Sequence, residues 1–166
     1  RGLNLAGAYV KLSELDDSLS LSVRFAYDRK LGYLTACPTN LGTGLRASAM
    51  LFLPGLSRMN KMGKLIREIS RLGHTVRGVY GEGSAAEGYM YQISNEVTLG
   101  VTEDYILSEV EKAVLEIVTL ETQARRSLVA EDGIGVKDRC RRAFGILIYC
   151  ERISFVEFLK LISDVK

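Results

Sequence analysis

Two arginines stand in the same kind of setting, each joining an apolar, strand-like run to a glycine-rich loop. Arg46 is the only charge in "ACPTNLGTGLRASAMLFLP", residues 36–54, and Arg77 lies in "VRGVYGEGSAAEG", residues 76–88. Backbone N–H groups of a Gly-Thr-Gly segment can approach a phosphate closely, and a neighbouring guanidinium offers paired donors to it. Glu82 follows Arg77 between Gly81 and Gly83. Its carboxylate could hold a guanidinium or amine, or act as a general base. Arg46, Arg77 and Glu82 together fit a phosphate clamp beside a seat for a cationic substrate. Each also has a plainer reading: a surface turn entering a strand with Arg46 reaching water, and a charged hairpin tip around Glu82. That one design occurs twice favours the anion site.

Other chemistries find little support. The first loop lacks the lysine and serine or threonine of GxxxxGK[ST], and it lacks the dinucleotide pattern GxGxxG. His74 is the only histidine. Beside the helix-ending Gly73 it is expected to cap a helix or lie at the surface. One histidine and scattered cysteines supply neither a Ser/His/Asp arrangement nor a metal cluster, so no metal site is expected. Cys37 reads either as a small buried hydrophobe or as a thiolate placed beside a cationic substrate. The basic runs "ARRS" and "KDRCRRAFG" read as solvated helix faces, and no nucleic-acid partner is expected.

These residues need a scaffold, and the chain has material for one compact domain: 166 residues, 47% hydrophobic and 25% charged. A net charge of +2 gives no general basic face, so an anion site must be local. No apolar run reaches the roughly 20 residues that span a bilayer, and no leader is visible. A soluble protein without a membrane partner is expected. The three cysteines, Cys37, Cys140 and Cys150, suit reduced thiols in the cytoplasm. Periodicity predicts a helix over residues 2–20, a turn at 28–32 between extended segments, and a core strand over 47–53 closed by Pro54 and Gly55. A helix capped by Ser57 follows, with Met59, Met62, Leu65, Ile66, Ile69 and Leu72 on one stripe and Gly73 as its stop. Two further strands are expected, "HTVRGVYG" and "YMYQISNEVTLG", the latter with a turn at Ser94–Asn95. Thr102 should start a helix to about Val129, "EDGIG" should break it, and two more helices should cover 136–150 and 154–165. Without strict alternation of strands and helices, the fold class is α+β, an antiparallel or mixed sheet with helices on one side.

The segments "GYLTACPTNLGTGLRASAMLFLPGL" and "VRGVYGEGSAAEGYMYQISNEVTLG" closely resemble the guanidino (phosphagen) kinase family. Within it they are most similar to bacterial protein arginine kinases. Creatine and metazoan arginine kinases carry two threonines where this chain has Thr43–Gly44, and a histidine near Leu51. The resemblance implies a glutamine-synthetase-like catalytic domain, an antiparallel sheet flanked by helices. It implies ATP as phosphoryl donor, Mg2+ carried by the nucleotide, and arginine side chains of proteins as acceptors. Arg46, Ala47, Ser48, Ala49 and Met50 would lie along the nucleotide, and Arg77, Gly78, Val79, Tyr80, Gly81 and Glu82 would line its phosphates. Glu82 would also hold the acceptor guanidinium, with Cys37 close by. Activator and protease–chaperone partners, a homodimer and a place in the stress response are further expectations of the resemblance.

The family's other catalytic carboxylate lies in an Asn-Glu-Glu-Asp-His segment, which is not found here, and the Asp16–Asp17 pair does not match it. The segment expected to bind phosphoarginine after "SDVK" is not found either. Residues 1–166 therefore read as one domain, the C-terminal part of a guanidino-kinase catalytic domain cut from a longer protein, and inactive or nearly so alone. A small-guanidino kinase and a non-catalytic nucleotide- or phosphoarginine-binding module are the rival readings.

Overall fold

The computed structural model describes residues 2–78 and 87–165. In chain order the elements are α1 (Leu5–Ser20), β1 (Tyr27–Asp28), β2 (Gly32–Tyr33), β3 (Ser48–Phe52), α2 (Pro54–Arg58), α3 (Met62–Arg71), β4 (His74–Gly78), β5 (Met90–Asn95), α4 (Glu103–Tyr149) and α5 (Phe155–Val165). The main sheet is antiparallel in the order β3-β5-β4, and β1 and β2 form a separate small hairpin. The register aligns Ser48 with Ser94 and Thr75, Ala49 with Ile93 and Val76, and Met50 with Gln92 and Arg77. Because side chains alternate along a strand, Ala49, Leu51, Ile93, Tyr91 and Val76 face the core. Ser48, Met50, Gln92, Ser94, Thr75 and Arg77 share the opposite face.

Helices cover the apolar face. Leu53, Leu56, Leu65, Ile69, Ile93 and Ile117 form one cluster, and Leu45, Ala47, Ile106, Val110 and Val114 a second. The expected strand and helices largely appear, and the differences have local causes. Pro54 does not merely end β3; it sits in the first turn of α2, where its missing N–H costs nothing. The next two amides of α2, Gly55 N and Leu56 N, donate to the two oxygens of buried Glu121 on α4, at 2.8 and 2.9 Å. A Cβ on Gly55 would meet Arg125 N at 2.9 Å and Glu121 Oε1 at 3.0 Å, so the seat admits only glycine. Ser57 caps no helix, and instead its hydroxyl donates to Leu53 O. Of the expected stripe on α3, Ile66 and Leu72 are exposed, Leu72 at 63% and beyond the helix end. Gly73 does stop that helix, at φ +79°, a conformation that glycine adopts at little cost.

Two further expectations are corrected, and one holds. His74 is neither a cap nor a surface residue: it begins β4 and is buried. Ser94–Asn95 forms no turn, since β5 runs through both and both are buried. "EDGIG" does interrupt the helix as expected: Asp132 leaves helical geometry at φ −146° and ψ 63°, kinking α4 into two segments, and its carboxylate accepts from Gly135 N at 2.9 Å, capping the second. Thr102 and Ser154 cap α4 and α5 through Tyr105 N and Glu157 N, as side-chain oxygens do at helix starts.

Candidate functional site

The polar face of the sheet and the loop before β3 enclose a cleft of about 560 Å³, lined among others by Cys37, Thr39, Arg46, Thr75, Arg77 and Glu96. That volume suits a small-molecule ligand. The structure thus brings Cys37, Arg46 and Arg77 to one cleft from three separate stretches of sequence. Ser48 and Met50 lie on the same face of the sheet, whereas Ala47 and Ala49 pack against the core. Gly78 is buried at the end of β4. Val79, Tyr80, Gly81 and Glu82 lie outside the described residues.

Arg46 is exposed, and its Nη2 donates to Ser94 Oγ at 3.1 Å. Among the described residues no carboxylate forms an ion pair with it. Its backbone neighbours are fixed by Asn95, whose Oδ1 accepts from Ala47 N at 2.8 Å and whose Nδ2 donates to Leu45 O at 3.0 Å. Gly42 and Gly44 take φ +107° and +63°, backbone that other residues resist. A Cβ on Gly42 would fall 2.4 Å from Thr98 O, so this glycine lets two backbone segments meet. Thr98 ties the same loop down, donating to Thr39 O and Leu41 O and accepting from Thr43 N.

Cys37 is exposed, which removes the buried-hydrophobe reading. Its sulfur lies 3.0 Å from Thr39 Oγ1. Hydrogen bonds from the Thr39 hydroxyl and then the Thr39 backbone hold the thiol below its ordinary pKa, because donors favour the thiolate. Across Arg46 a second hollow, about 480 Å³, is lined by Tyr9, Asp16, Asp17, Tyr33 and Glu103. There Tyr33 OH donates to Asp16 Oδ2 at 2.9 Å, and that bond to a carboxylate raises the phenol's pKa. Among the described residues no cluster of acids, cysteines and histidine could hold a metal ion.

The arrangement presents a cationic, partly preorganised cleft to an anion, with a polarised thiol at its rim. Sequence reasoning missed Ser94, Asn95, Thr98 and Thr39, which organise it. The one signal for the first two was a polar pair directly after an apolar strand, and it reads equally as a turn.

The family model for the ATP:guanido phosphotransferase C-terminal catalytic domain matches residues 1–124. The chain belongs to this guanidino-kinase family. A protein-arginine kinase of Halothermothrix orenii is 50% identical over 99% of the chain and 47% of the relative, and one of Staphylococcus haemolyticus is 47% identical over 99% and 49%. The chain spans about half the length of the curated relatives it matches. Among solved structures, a duplicated taurocyamine kinase from Schistosoma mansoni with bound transition-state-analogue components aligns at TM-score 0.64 and 36% identity, over 72% of this chain and 16% of that one. A lombricine kinase aligns at TM-score 0.54 and 31% identity, over 74% and 31%. The guanidino-kinase catalytic domain is a glutamine-synthetase-like α+β fold, and the antiparallel sheet with helices on its apolar face agrees with it.

Proposed function

We propose that this chain supplies the nucleotide side of an ATP-dependent protein arginine kinase. The observation that carries the reading is Arg46, an exposed guanidinium aimed by a neutral hydroxyl in the cleft that also holds Arg77 and Cys37. The relatives named protein-arginine kinase support the acceptor. In the reaction the terminal P–O bond of ATP breaks and an N–P bond forms on the arginine guanidinium, which loses a proton, leaving ADP. Such transfer needs mainly positioning and neutralisation of the phosphoryl oxygens, and Arg46 and Arg77 are suited to both. A nucleotide would bring its own Mg2+. Guanidinium is a poor nucleophile because its lone pairs are delocalised, so a carboxylate must align it and take its proton. Glu82 is our candidate for that group, and the Cys37 thiolate for a negative charge beside the acceptor.

The test is phosphoarginine formation from Mg-ATP on a casein-like protein and on free arginine, by a full-length protein carrying this chain. Transfer to the protein acceptor is expected. Transfer to free arginine alone would reassign the chain to a small-guanidino kinase. Nucleotide binding without any transfer would make it a binding module.

A further inference from the structure

We propose that Ser94 and Asn95 are positioning residues that hold Arg46 ready for the nucleotide phosphate. The inference rests on Arg46 serving the nucleotide, and it explains why the two polar residues are buried at the end of β5.

A long, exposed arginine has many rotamers, and a phosphate that had to select one of them would bind more weakly. The structure restrains Arg46 at both ends. At the backbone, one carboxamide spans it: Asn95, 7% exposed, accepts from the amide after Arg46 and donates to the carbonyl before it. A third bond, Nδ2 to Val97 O at 3.1 Å, anchors the bracket to the chain leaving β5. The backbone pair Asn95 N to Ala47 O, 3.3 Å, closes the same junction.

At the tip, Ser94 Oγ receives Nη2. Ser94 faces Ser48 across the β3–β5 ladder, and Arg46 lies two residues before Ser48. Arg46 is therefore diagonal to Ser94, a distance that a long side chain crosses easily. Ser94 is 1% exposed. Its chemistry matters as much as its place. A carboxylate there would hold the guanidinium harder, but it would cancel the charge a phosphate needs. A hydroxyl orients one N–H, leaving the charge and the remaining donors for the ligand. The segment then continues to Thr98, which ties down the loop bearing Cys37. The exit of β5 thus sets both sides of the cleft.

The experiment is a double-mutant cycle in a full-length protein carrying this chain, reading the equilibrium affinity for MgADP and the thermal midpoint. Ser94→Ala is expected to weaken MgADP about tenfold, as loss of one hydrogen bond to a charged group would, with the midpoint little changed. In an Arg46→Ala background the same change should alter affinity less than twofold, because its effect passes through Arg46. Asn95→Ala should also shrink in that background, although it lowers the midpoint by emptying a buried polar position. If Arg46→Ala weakens MgADP but Ser94→Ala does not, the positioning role is wrong. If Ser94→Ala costs the same in both backgrounds, Ser94 acts by another route and the proposal is overturned. If Arg46→Ala leaves MgADP binding intact, the nucleotide reading itself fails.

Discussion

Arg125 and Arg46 both reach the same sheet and are used in opposite ways. Arg125 Nε binds Glu121 Oε1 at 2.6 Å, Nη2 donates to Phe52 O at 3.2 Å, and the guanidinium lies over the Phe52 ring. Arg58 is similarly absorbed: it pairs with Asp164 on α5 and lies over Tyr89. Arg125 ties α4 to the end of β3 and Arg58 ties α2 to α5, with charges neutralised by mostly buried carboxylates. Arg46 has a hydroxyl where they have a carboxylate. A guanidinium paired with an acid inside a protein does structural work. One aimed by a neutral group keeps a charge that its partner does not neutralise.

The contrast predicts a clean separation of phenotypes. Arg46→Ala should lower phosphotransfer by roughly a thousandfold, the order an arginine supplies to a phosphoryl group, while the urea unfolding midpoint stays near wild type. Glu121→Ala should do the reverse. It strands two buried amides of α2 and leaves Arg125 without its acid, at a cost of about 3 kcal/mol, read as a lower urea midpoint at unchanged slope. If Arg46→Ala unfolded the protein as readily as Glu121→Ala, the division between structural and ligand-directed arginines would collapse.

That division was half visible in the sequence. Arg46 and Arg77 stood out because each is a lone charge beside glycines, and the strands around them follow from apolar runs bounded by turn residues. The α3 stripe and the Gly73 stop were legible for the same reason: they depend on neighbours three or four places away. The parts that escaped depend on distant partners. Glu121 reads as one more acid on a helix, because the amides it caps lie 66 and 65 residues earlier. Asn95 reads as a turn former because its partners Ala47 and Leu45 lie 48 and 50 residues back. Nothing local distinguishes a buried carboxamide from one at a bend. His74 misled similarly, since a histidine after a helix-ending glycine has the composition of a cap.

Burial of His74 gives a subtler test of the structural side. Desolvation lowers its pKa from 6.5, with the charge of Glu109 working the other way. The unfolded chain therefore binds a proton that the folded chain resists, and stability falls as pH drops from about 6.5 toward the folded value. His74→Leu should remove that component. The variant's stability relative to wild type, followed by urea titration from pH 7.5 to 5, should rise on acidification. A difference independent of pH would mean that His74 is as well solvated as the surface cap its sequence suggests.

The smallest effect belongs to the ligand side, at Cys37. The Thr39 hydroxyl is the first cause of its lowered thiol pKa, with the Thr39 backbone second. Thr39→Val removes the hydroxyl and keeps the backbone group, so the thiol should move part of the way back toward its ordinary value. At neutral pH less thiolate would be present, and the midpoint of iodoacetamide labelling at Cys37, followed by peptide mapping, should shift to higher pH. The fold should not change, because the tie from Thr98 goes to the Thr39 carbonyl and not to its side chain. An unshifted profile would show that the backbone donor alone holds the thiolate. The cleft's anionic rim would then be a property of the loop's conformation, set by Thr98 and Gly42, and the cationic wall at Arg46 would remain the part that depends on a single side-chain hydroxyl.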